Sequence, residues 1–354
     1  MKIPTEPIGS IPRPAYLLDA MNAFAQAEIK EADLNQALEK ALKETINLFE
    51  QTGSPIITDG EQGKPSFATY PIHGSRELAS DGVVIPFADG HTRQLPKFTG
   101  RKFKYENFAG NYVKKAKQFT SLPVKQAVIS VSALSLLYPP EGIGEYTREQ
   151  FTADLINEAE RDIRQCFNNG AYNVQIDFTE ARLAIKLDPS KSLLKMFIAL
   201  NNQVLDRFTK EEQKYIGVHT CPGGDKDSTH SADIGYPELL PYLFQLHVGN
   251  FYLEYAAEKN KKDTLQSIRE FVKPGQKIFL GVTNVLDKHI ETPQEICDLV
   301  LEAADILPIE HLGTTDDCGF SPFADDLSTA RELAFAKIKA RVQGTALAEK
   351  KLRL

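Results

Sequence analysis

Short apolar segments alternate with longer segments of helical periodicity along the whole chain. Strands are predicted at residues 3–8, 55–58, 126–131, 172–176, 215–218, 250–253, 277–282 and 311–314. Helices are predicted between them at residues 34–51, 147–168, 192–208, 237–246, 263–271, 293–304 and 328–343. Such alternation is typical of parallel strands joined by crossover helices. Eight repeats predict an α/β fold of the closed (β/α)8 TIM-barrel type, with a doubly wound open sheet as the alternative.

Residues 70–120 interrupt this alternation. Two β-rich runs within them, 82–87 and 92–98, flank the sequence Ala88-Asp89-Gly90. An Asp-Gly pair between such runs is typical of a hairpin turn. We therefore predict a single catalytic barrel over residues 1–354, with a β-hairpin insertion at about 70–120, after strand 2.

The composition limits the class of partner. The 354 residues carry a formal net charge of −7, which argues against nucleic acid or an anionic membrane as the main partner. The first residues lack the apolar core of a signal peptide, and no apolar run approaches the roughly 18 residues of a membrane span. Four cysteines are too few for a disulfide scaffold. We expect a cytoplasmic protein that acts on small molecules, and a homo-oligomer is compatible with the sequence.

Metal-binding residue types follow several of the predicted strands. His219 and Cys221 end the fifth strand, Glu254 follows the sixth and Cys318 follows the eighth. The H-x-C spacing directs both side chains to one side of a strand, and all strand ends of a barrel converge on one mouth. Imidazole, thiolate and carboxylate ligands together suit zinc. The residues alone favour two interpretations about equally, a zinc site or cysteines that act as small buried apolar residues.

A zinc ion held by two thiolates and a carboxylate would be electron-rich. Such a site is poorly suited to forming hydroxide, but it keeps a further thiol deprotonated and nucleophilic at neutral pH. The chemistry implied is transfer of an alkyl group to sulfur.

Acidic residues at two other strand ends are candidate catalytic groups. Asp177 follows the fourth strand and either forms a salt bridge with Arg182 or binds a substrate ammonium group, the interpretation that we favour. Glu61 and Asp59 flank Gly60, where the backbone can approach a ligand closely. These acids suit amine binding or proton transfer.

Three further features give less specific indications of function. Gly9-Ser10, after the first strand, offers backbone groups and a hydroxyl to a substrate, and a plain turn is equally compatible. The polar, glycine-rich loop 222–230 is interpreted as a mobile lid over the barrel mouth. Cys166 and Cys297 lie on predicted helices and are expected in the core.

Taken together, these motifs resemble the catalytic C-terminal barrel of the cobalamin-independent methionine synthases, particularly their short single-barrel members. The resemblance runs from Ile8 to about Gly344, apart from the insertion. It implies that His219, Cys221, Glu254 and Cys318 hold one Zn²⁺ per chain, with Asp317-Cys318-Gly319 as a family motif. It also implies that Ile8, Gly9, Ser10, Glu61 and Asp177 bind homocysteine, with Asp177 on its ammonium group and Glu61 in contact with the amino acid.

The chain departs from the family pattern on the side of the methyl donor. It lacks the N-terminal barrel of the full-length enzymes and has no tryptophan to stack on a pterin. Tyr138, in the matching region 132–138, is the proposed substitute. The family histidine after the seventh strand is replaced by the segment 284–288, with His289 displaced, and Asp177 is followed by Phe178-Thr179-Glu180 instead of a Glu-Pro pair.

The resemblance therefore predicts a zinc-dependent S-methyltransferase that converts homocysteine to methionine, with methyltetrahydrofolate or another methyl donor as co-substrate. One alternative is alkyl transfer to another thiol, as in epoxyalkane:coenzyme M transferases. That reaction would use a sulfonate-binding basic cluster, for which Arg13, Lys64 and Arg182 are the candidates. Two further alternatives are a metal-free lyase of the uroporphyrinogen decarboxylase type and a non-catalytic zinc-binding protein.

Overall fold

The computed structural model describes residues 2–354. These residues form the strands β1 (Leu78–Ala79), β2 (Val84–Pro86), β3 (Thr92–Gln94), β4 (Lys97–Phe98), β5 (Lys125–Ile129), β6 (Asn173–Asp177), β7 (Ile216–Thr220), β8 (Gly224–Asp225), β9 (Ser228–Thr229), β10 (Asn250–Leu253), β11 (Lys277–Gly281) and β12 (Leu312–Thr315).

The α-helices are α1 (Ala15–Ala25), α2 (Glu31–Thr52), α3 (Gly110–Ala116), α4 (Val131–Ser135), α5 (Arg148–Asn168), α6 (Glu180–Leu187), α7 (Ser192–Leu205), α8 (Lys210–Gln213), α9 (Tyr236–Leu243), α10 (Lys261–Phe271), α11 (Pro293–Ala304) and α12 (Arg331–Leu352). Short 3-10 helices lie at Tyr70–Ile72 and Ile309–His311. Several helices begin where the sequence indicates a cap. Thr147 and Thr292 each accept a hydrogen bond from the backbone of the third helical residue, so both capping boxes form.

Six of the strands form one parallel sheet, in the order β12–β11–β10–β7–β6–β5. In register, Leu253 of β10 lies opposite Thr220 of β7 and Leu280 of β11. Nearly every residue of these strands is buried, as expected of parallel strands with helices packed on one face and a filled interior on the other. The predictions for strands three to eight are confirmed, and α2, α5, α7, α9, α10, α11 and α12 match the predicted helices.

The first two predicted strands, 3–8 and 55–58, do not form ladders. Each makes a single parallel bridge to an edge of the sheet, Thr5 to Thr314 of β12 and Ile57 to Val124 beside β5. The two segments therefore lie where the missing barrel strands would lie, but the hydrogen-bonded ladder of the sheet is not closed through them.

Prolines explain why these segments pair so briefly. Pro4, Pro7 and Pro55 have no backbone N–H and cannot continue a ladder. Between the two segments, the hydroxyl of Thr58 donates a 2.9 Å hydrogen bond to the carbonyl of Gly9. The prediction of two regular strands was wrong here. The apolar pattern indicated strands, but the prolines remove backbone N–H donors that a regular ladder needs.

The insertion forms the predicted β-hairpin. β2 and β3 pair antiparallel, with Val84 opposite Gln94 and Pro86 opposite Thr92, and β1 and β4 pair in the same way further from the turn. Gly90 in the turn has φ +93°, which a side chain would disfavour. Within residues 2–354, no helix has both the length and the apolar character needed to cross a bilayer.

Candidate metal and substrate site

The carboxyl ends of the strands gather the polar residues at one end of the sheet. Parallel pairing places Asp177 of β6 opposite His219 of β7, and Leu253 of β10 opposite Thr220. Glu254 and Cys221, the residues that follow, therefore leave the sheet side by side. Register thus brings residues from distant parts of the chain to one location, as barrel geometry requires.

Two thiols and an imidazole form a compact cluster at this location. The ligand atoms of His219, Cys221 and Cys318 all lie within 4.8 Å of one another, and the two sulfur atoms are 3.2 Å apart without a disulfide. Nδ1 of His219 lies 3.3 Å from the carbonyl oxygen of Tyr252, while its buried Nε2 has no partner among the described residues. An N–H on Nδ1 would leave the Nε2 lone pair free, which is how a metal-binding imidazole is usually oriented. The donor set fits zinc.

Glu254, the fourth predicted ligand, lies beside this cluster but outside the 4.8 Å group. Its side chain is buried and shares a small cleft with Cys221 and Cys318. Burial raises the pKa of the Glu254 carboxyl well above its ordinary value, the carboxyl of Asp317 adds to this, and Arg182 opposes it. The structure thus brings three of the predicted ligands together and places the fourth next to them.

The two thiols influence each other's pKa. Their hydrogen bond lowers the pKa of Cys221 well below its ordinary value and raises that of Cys318. The imidazole of His219 supports the thiolate form of Cys221. The surroundings therefore favour the thiolate form of Cys221 over that of Cys318.

Asp317 braces the loops that carry the ligands. Its carboxylate accepts hydrogen bonds of 2.8 Å from the backbone N–H groups of Tyr255, Ala256 and Ala257. These residues follow Glu254, whereas Asp317 precedes Cys318. Gly281 leaves room for this brace, because a Cβ there would lie 2.2 Å from Oδ1 of Asp317.

A cavity of about 390 Å³ opens beside the cluster. All five of the acceptor-binding residues predicted at strand ends line it, together with two residues of the cluster: Ile8, Gly9, Ser10, Glu61, Asp177, His219 and Cys318. Gly319 is required at its edge, since a Cβ there would lie 2.2 Å from Oγ of Ser10. The cavity is large enough for an amino acid and part of a second substrate.

Asp177 is buried and accepts a 2.7 Å hydrogen bond on Oδ1 from the side-chain amide of Gln175. Burial raises its pKa to about 6, and His219 opposes this rise. Arg182 does not contact it and instead forms a buried ion pair with Glu258. The alternative of a structural Asp177–Arg182 salt bridge was wrong, because the guanidinium of Arg182 is engaged by Glu258 and lies over the ring of Tyr236.

Glu61 is held by a buried lysine. Nζ of Lys64 lies 2.9 Å from Oε1 of Glu61 and also donates to the carbonyl of Ala127 at 2.9 Å. Glu61 has φ +54°, a left-handed conformation that costs free energy for a residue with a side chain. The backbone N–H of Glu61 donates to Asp59 at 3.1 Å, which stabilises this turn.

Tyr138 is not part of the cavity wall. It is buried, its hydroxyl donates a 2.8 Å hydrogen bond to the carbonyl of Tyr146, and its ring packs on Phe151. In this arrangement it does not present a stacking surface to a donor in the cavity.

The hairpin insertion supplies a wall of the cavity that sequence reasoning did not foresee. Residues 83–87 and 93–95 line it, mostly with apolar side chains. Arg93 forms a bidentate ion pair with Asp225 in the loop after Cys221, at 2.5 and 3.0 Å. This loop, interpreted from sequence as a lid, contains the β8–β9 ribbon, and Gly223, Gly224 and His230 also line the cavity.

Glu180 is a second unforeseen residue. It lines the cavity at the start of α6, and its Oε1 accepts hydrogen bonds from the hydroxyls of Ser130 and Ser132 at 2.6 and 2.5 Å. Burial raises its pKa to about 7, although both serines oppose this. A glutamate with a pKa near neutrality is suited to carrying a proton.

Comparison with known proteins identifies the family of the chain. Residues 3–334 match the family described as the cobalamin-independent synthase catalytic domain. A methionine synthase of Sulfurisphaera tokodaii is 22% identical, with 99% of this chain and 94% of that protein covered. A 5-methyltetrahydropteroyltriglutamate–homocysteine methyltransferase of a Thermotoga species is 23% identical over 89% of this chain and 41% of its own length.

The fold is shared with a solved structure of this type. The B12-independent methionine synthase of Shewanella sp. W3-18-1, in complex with selenomethionine, superposes with a TM-score of 0.79 at 19% identity, covering 100% of this chain and 99% of that one. This confirms the predicted α/β fold class of the TIM-barrel type. The chain belongs to the family of cobalamin-independent synthase catalytic domains.

Proposed function

We propose that the protein transfers a methyl group to the thiol of homocysteine and forms methionine, with one zinc ion bound by His219, Cys221, Glu254 and Cys318. The observation that carries this proposal is the cluster of two thiols and an imidazole on the wall of a cavity that also contains Asp177 and Glu61. The names of the relatives, methionine synthase and homocysteine methyltransferase, support the same acceptor.

Different residues of the cavity would bind different parts of the acceptor. Asp177 and Glu61 would bind its ammonium group, because both are buried carboxylates on the cavity wall. Ser10 and the adjacent backbone of Ile8 and Gly9 would hold the rest of the amino acid. Zinc, when bound, would supply one property, a substrate thiol that stays deprotonated at neutral pH. The methyl donor would enter from the apolar side of the cavity, and we propose methyltetrahydrofolate or another methyl donor.

The alternative acceptor, a sulfonate-bearing thiol, draws no support from the predicted basic cluster. Lys64 is paired with Glu61 and Arg182 with Glu258. Arg13 donates to the backbone carbonyls of Glu61, Lys64 and Ser321. These three cations are therefore engaged inside the protein.

A metal analysis with matched variants tests the site. We expect about one zinc per chain in the wild type, and strongly reduced zinc in Cys318→Ala, because a thiolate ligand is lost. Cys297→Ala is the control, since Cys297 lies on the buried face of α11, in the core and outside the cluster. Equal zinc content in both variants, or no zinc in the wild type, would rule out the proposed metal site.

Product formation tests the reaction. Zinc-loaded protein is incubated with homocysteine and a panel of methyl donors that includes mono- and triglutamyl methyltetrahydrofolate, and methionine is quantified by mass spectrometry. Methionine from any donor, lost in Cys318→Ala but kept in Cys297→Ala, would support the proposal. Failure to form methionine together with failure to bind homocysteine would overturn it.

A further inference from the structure

A column of polar side chains runs along the inward face of β6 and reaches the cavity, which Gln175 and Asp177 line. Asn173, Gln175 and Asp177 occupy alternate positions of β6 and so face the same way, whereas Val174 and Ile176 pack in the apolar core. Barrel interiors are usually filled by branched apolar residues, and buried polar groups cost free energy unless they are hydrogen-bonded. The predicted strand at 172–176 is one of the short apolar segments of the sequence, but the inward face of β6 is polar.

A buried lysine lies at the base of this column. The side chain of Lys125 is fully buried, and its Nζ donates a 2.8 Å hydrogen bond to Oε1 of Gln175. The ammonium lies 3.6 Å from Oε2 of Glu6 and 3.8 Å from the ring centroid of Tyr252. Burial lowers the pKa of Lys125 to about 8 and Glu6 opposes this, so the group remains mainly charged at neutral pH.

The lysine fixes the orientation of the neighbouring amide. An ammonium group can only donate, so Gln175 must present its oxygen to Lys125. The amide nitrogen then points the other way, where Nε2 donates a 2.7 Å hydrogen bond to Oδ1 of Asp177. If the amide turned over, its oxygen would face the carboxylate and repel it. The charge of Lys125 therefore determines which atom of the Gln175 amide faces Asp177, although Lys125 and Asp177 do not touch.

We infer that Lys125 and Gln175 are positioning residues for the acceptor subsite, where they fix the carboxylate of Asp177 so that it selects thiols bearing an α-amino group. This inference rests on the proposed function, in which Asp177 binds the ammonium of homocysteine. Gln175 holds Oδ1, and no hydrogen bond from residues 2–354 reaches Oδ2, which is left for the substrate. A fixed carboxylate binds an ammonium group more tightly than one that must first be ordered.

The test compares two acceptors that differ only in the amino group. Homocysteine and 4-mercaptobutanoate are titrated into zinc-loaded protein by calorimetry. The readout is the dissociation constant of 4-mercaptobutanoate divided by that of homocysteine, a ratio that falls when homocysteine binds more weakly. We expect Lys125→Met to weaken homocysteine binding by about tenfold or more, as for the loss of a charge-assisted hydrogen bond. Binding of 4-mercaptobutanoate should change by less than about twofold, because it makes no contact with Asp177.

Further variants separate positioning from a general loss of stability. Gln175→Met should lower the same ratio, and the double variant should lower it no further, because Lys125 acts through Gln175. Lys125→Arg, which keeps a donor-only cation, should recover part of the selectivity. Lys337→Met is the matched control, since Lys337 is also fully buried and paired, with Glu291 at 3.0 Å. If Lys125→Met does not fold, Gln175→Met carries the test.

The outcomes are distinct. An unchanged ratio in Lys125→Met and Gln175→Met, or equal weakening of both acceptors, would overturn the positioning role and leave the proposed function standing. Additive effects in the double variant would also overturn it. Wild-type protein that neither binds homocysteine nor forms methionine would instead overturn the proposed function. Equal binding of the two thiols by the wild type would overturn recognition of the amino group by Asp177, and with it the positioning role.

Discussion

At the residue scale, Glu180 lies on the cavity wall, and the fold raises the pKa of its carboxyl group. Its Oε1 accepts from two serine hydroxyls, and its buried Oε2 has no partner within the described part of the chain. Burial raises its pKa from the ordinary 4.5 to about 7, and the charge of Asp177 contributes. The folded protein therefore binds this proton up to about pH 7, whereas the unfolded chain releases it near pH 4.5.

We predict that Glu180→Gln changes the pH dependence of stability. Because the folded-state pKa is raised, this glutamate makes the protein progressively less stable as the pH rises from about 5 to about 7. The free energy of unfolding of the variant, relative to wild type, should increase by up to about 3 kcal/mol between pH 5 and pH 8. Urea unfolding at several pH values measures the difference, in which Asp177 and other shared groups cancel. A difference that is independent of pH would contradict the prediction.

At the scale of elements, the hairpin insertion is tied to the loop after Cys221. Besides the Arg93–Asp225 ion pair, the backbone N–H of Ala88 donates to the carbonyl of Thr229 at 2.9 Å, and that of Asp89 donates to Oγ of Ser228 at 3.2 Å. The insertion and the loop therefore form one continuous cover at the cavity mouth. A bidentate, largely buried ion pair is more strongly held than an isolated surface pair.

We predict that Arg93→Met loosens this cover. The backbone amides of Ala88 and Asp89 should exchange with solvent at least about tenfold faster, because local opening no longer breaks a charge-assisted contact. Hydrogen exchange followed by mass spectrometry measures this. Lys97→Met is the control, since Lys97 lies on the same insertion but pairs with exposed Asp81. Equal exchange in Arg93→Met and Lys97→Met would contradict the role of the ion pair.

The elements show what local sequence can and cannot predict. The Asp89-Gly90 turn, the caps at Thr147 and Thr292 and the strand-end position of His219 all follow from nearby residues. The contact of the hairpin with the loop at 222–231 joins residues more than 130 positions apart, as in the Arg93–Asp225 pair, and no local pattern encodes it. Glu180 was missed for the same reason, because Ser130 and Ser132 are 50 and 48 positions away.

At the scale of the whole molecule, the junction between the first segment and β12 depends on α12. A single bridge joins Thr5 to Thr314 there. The fully buried guanidinium of Arg341 on α12 donates to the carbonyl of Glu6 and lies 3.3 Å from Asp316. One helix side chain thus holds together two parts of the barrel wall that the sheet itself joins weakly.

We predict that Arg341→Met lowers the free energy of unfolding by about 3 kcal/mol or more, because removing one partner leaves the buried carboxylate of Asp316 uncompensated. Lys339→Met on the same helix is the control and should be nearly neutral, since Lys339 is exposed. Denaturant unfolding measures both. A loss in Arg341→Met no greater than in Lys339→Met would show that the junction does not depend on this contact.

The same junction has a consequence for how the protein is made. The first segment meets β12 and α12, and the backbone N–H of Ile3 donates to Glu349 at 2.6 Å. Cys318 likewise joins Cys221 across 97 positions. The chain emerges from the ribosome with its N-terminus first. The first segment therefore cannot form its junction with β12 and α12 until α12 has emerged. During that interval Cys221 is present without its partner thiol, and the nascent barrel has an open side.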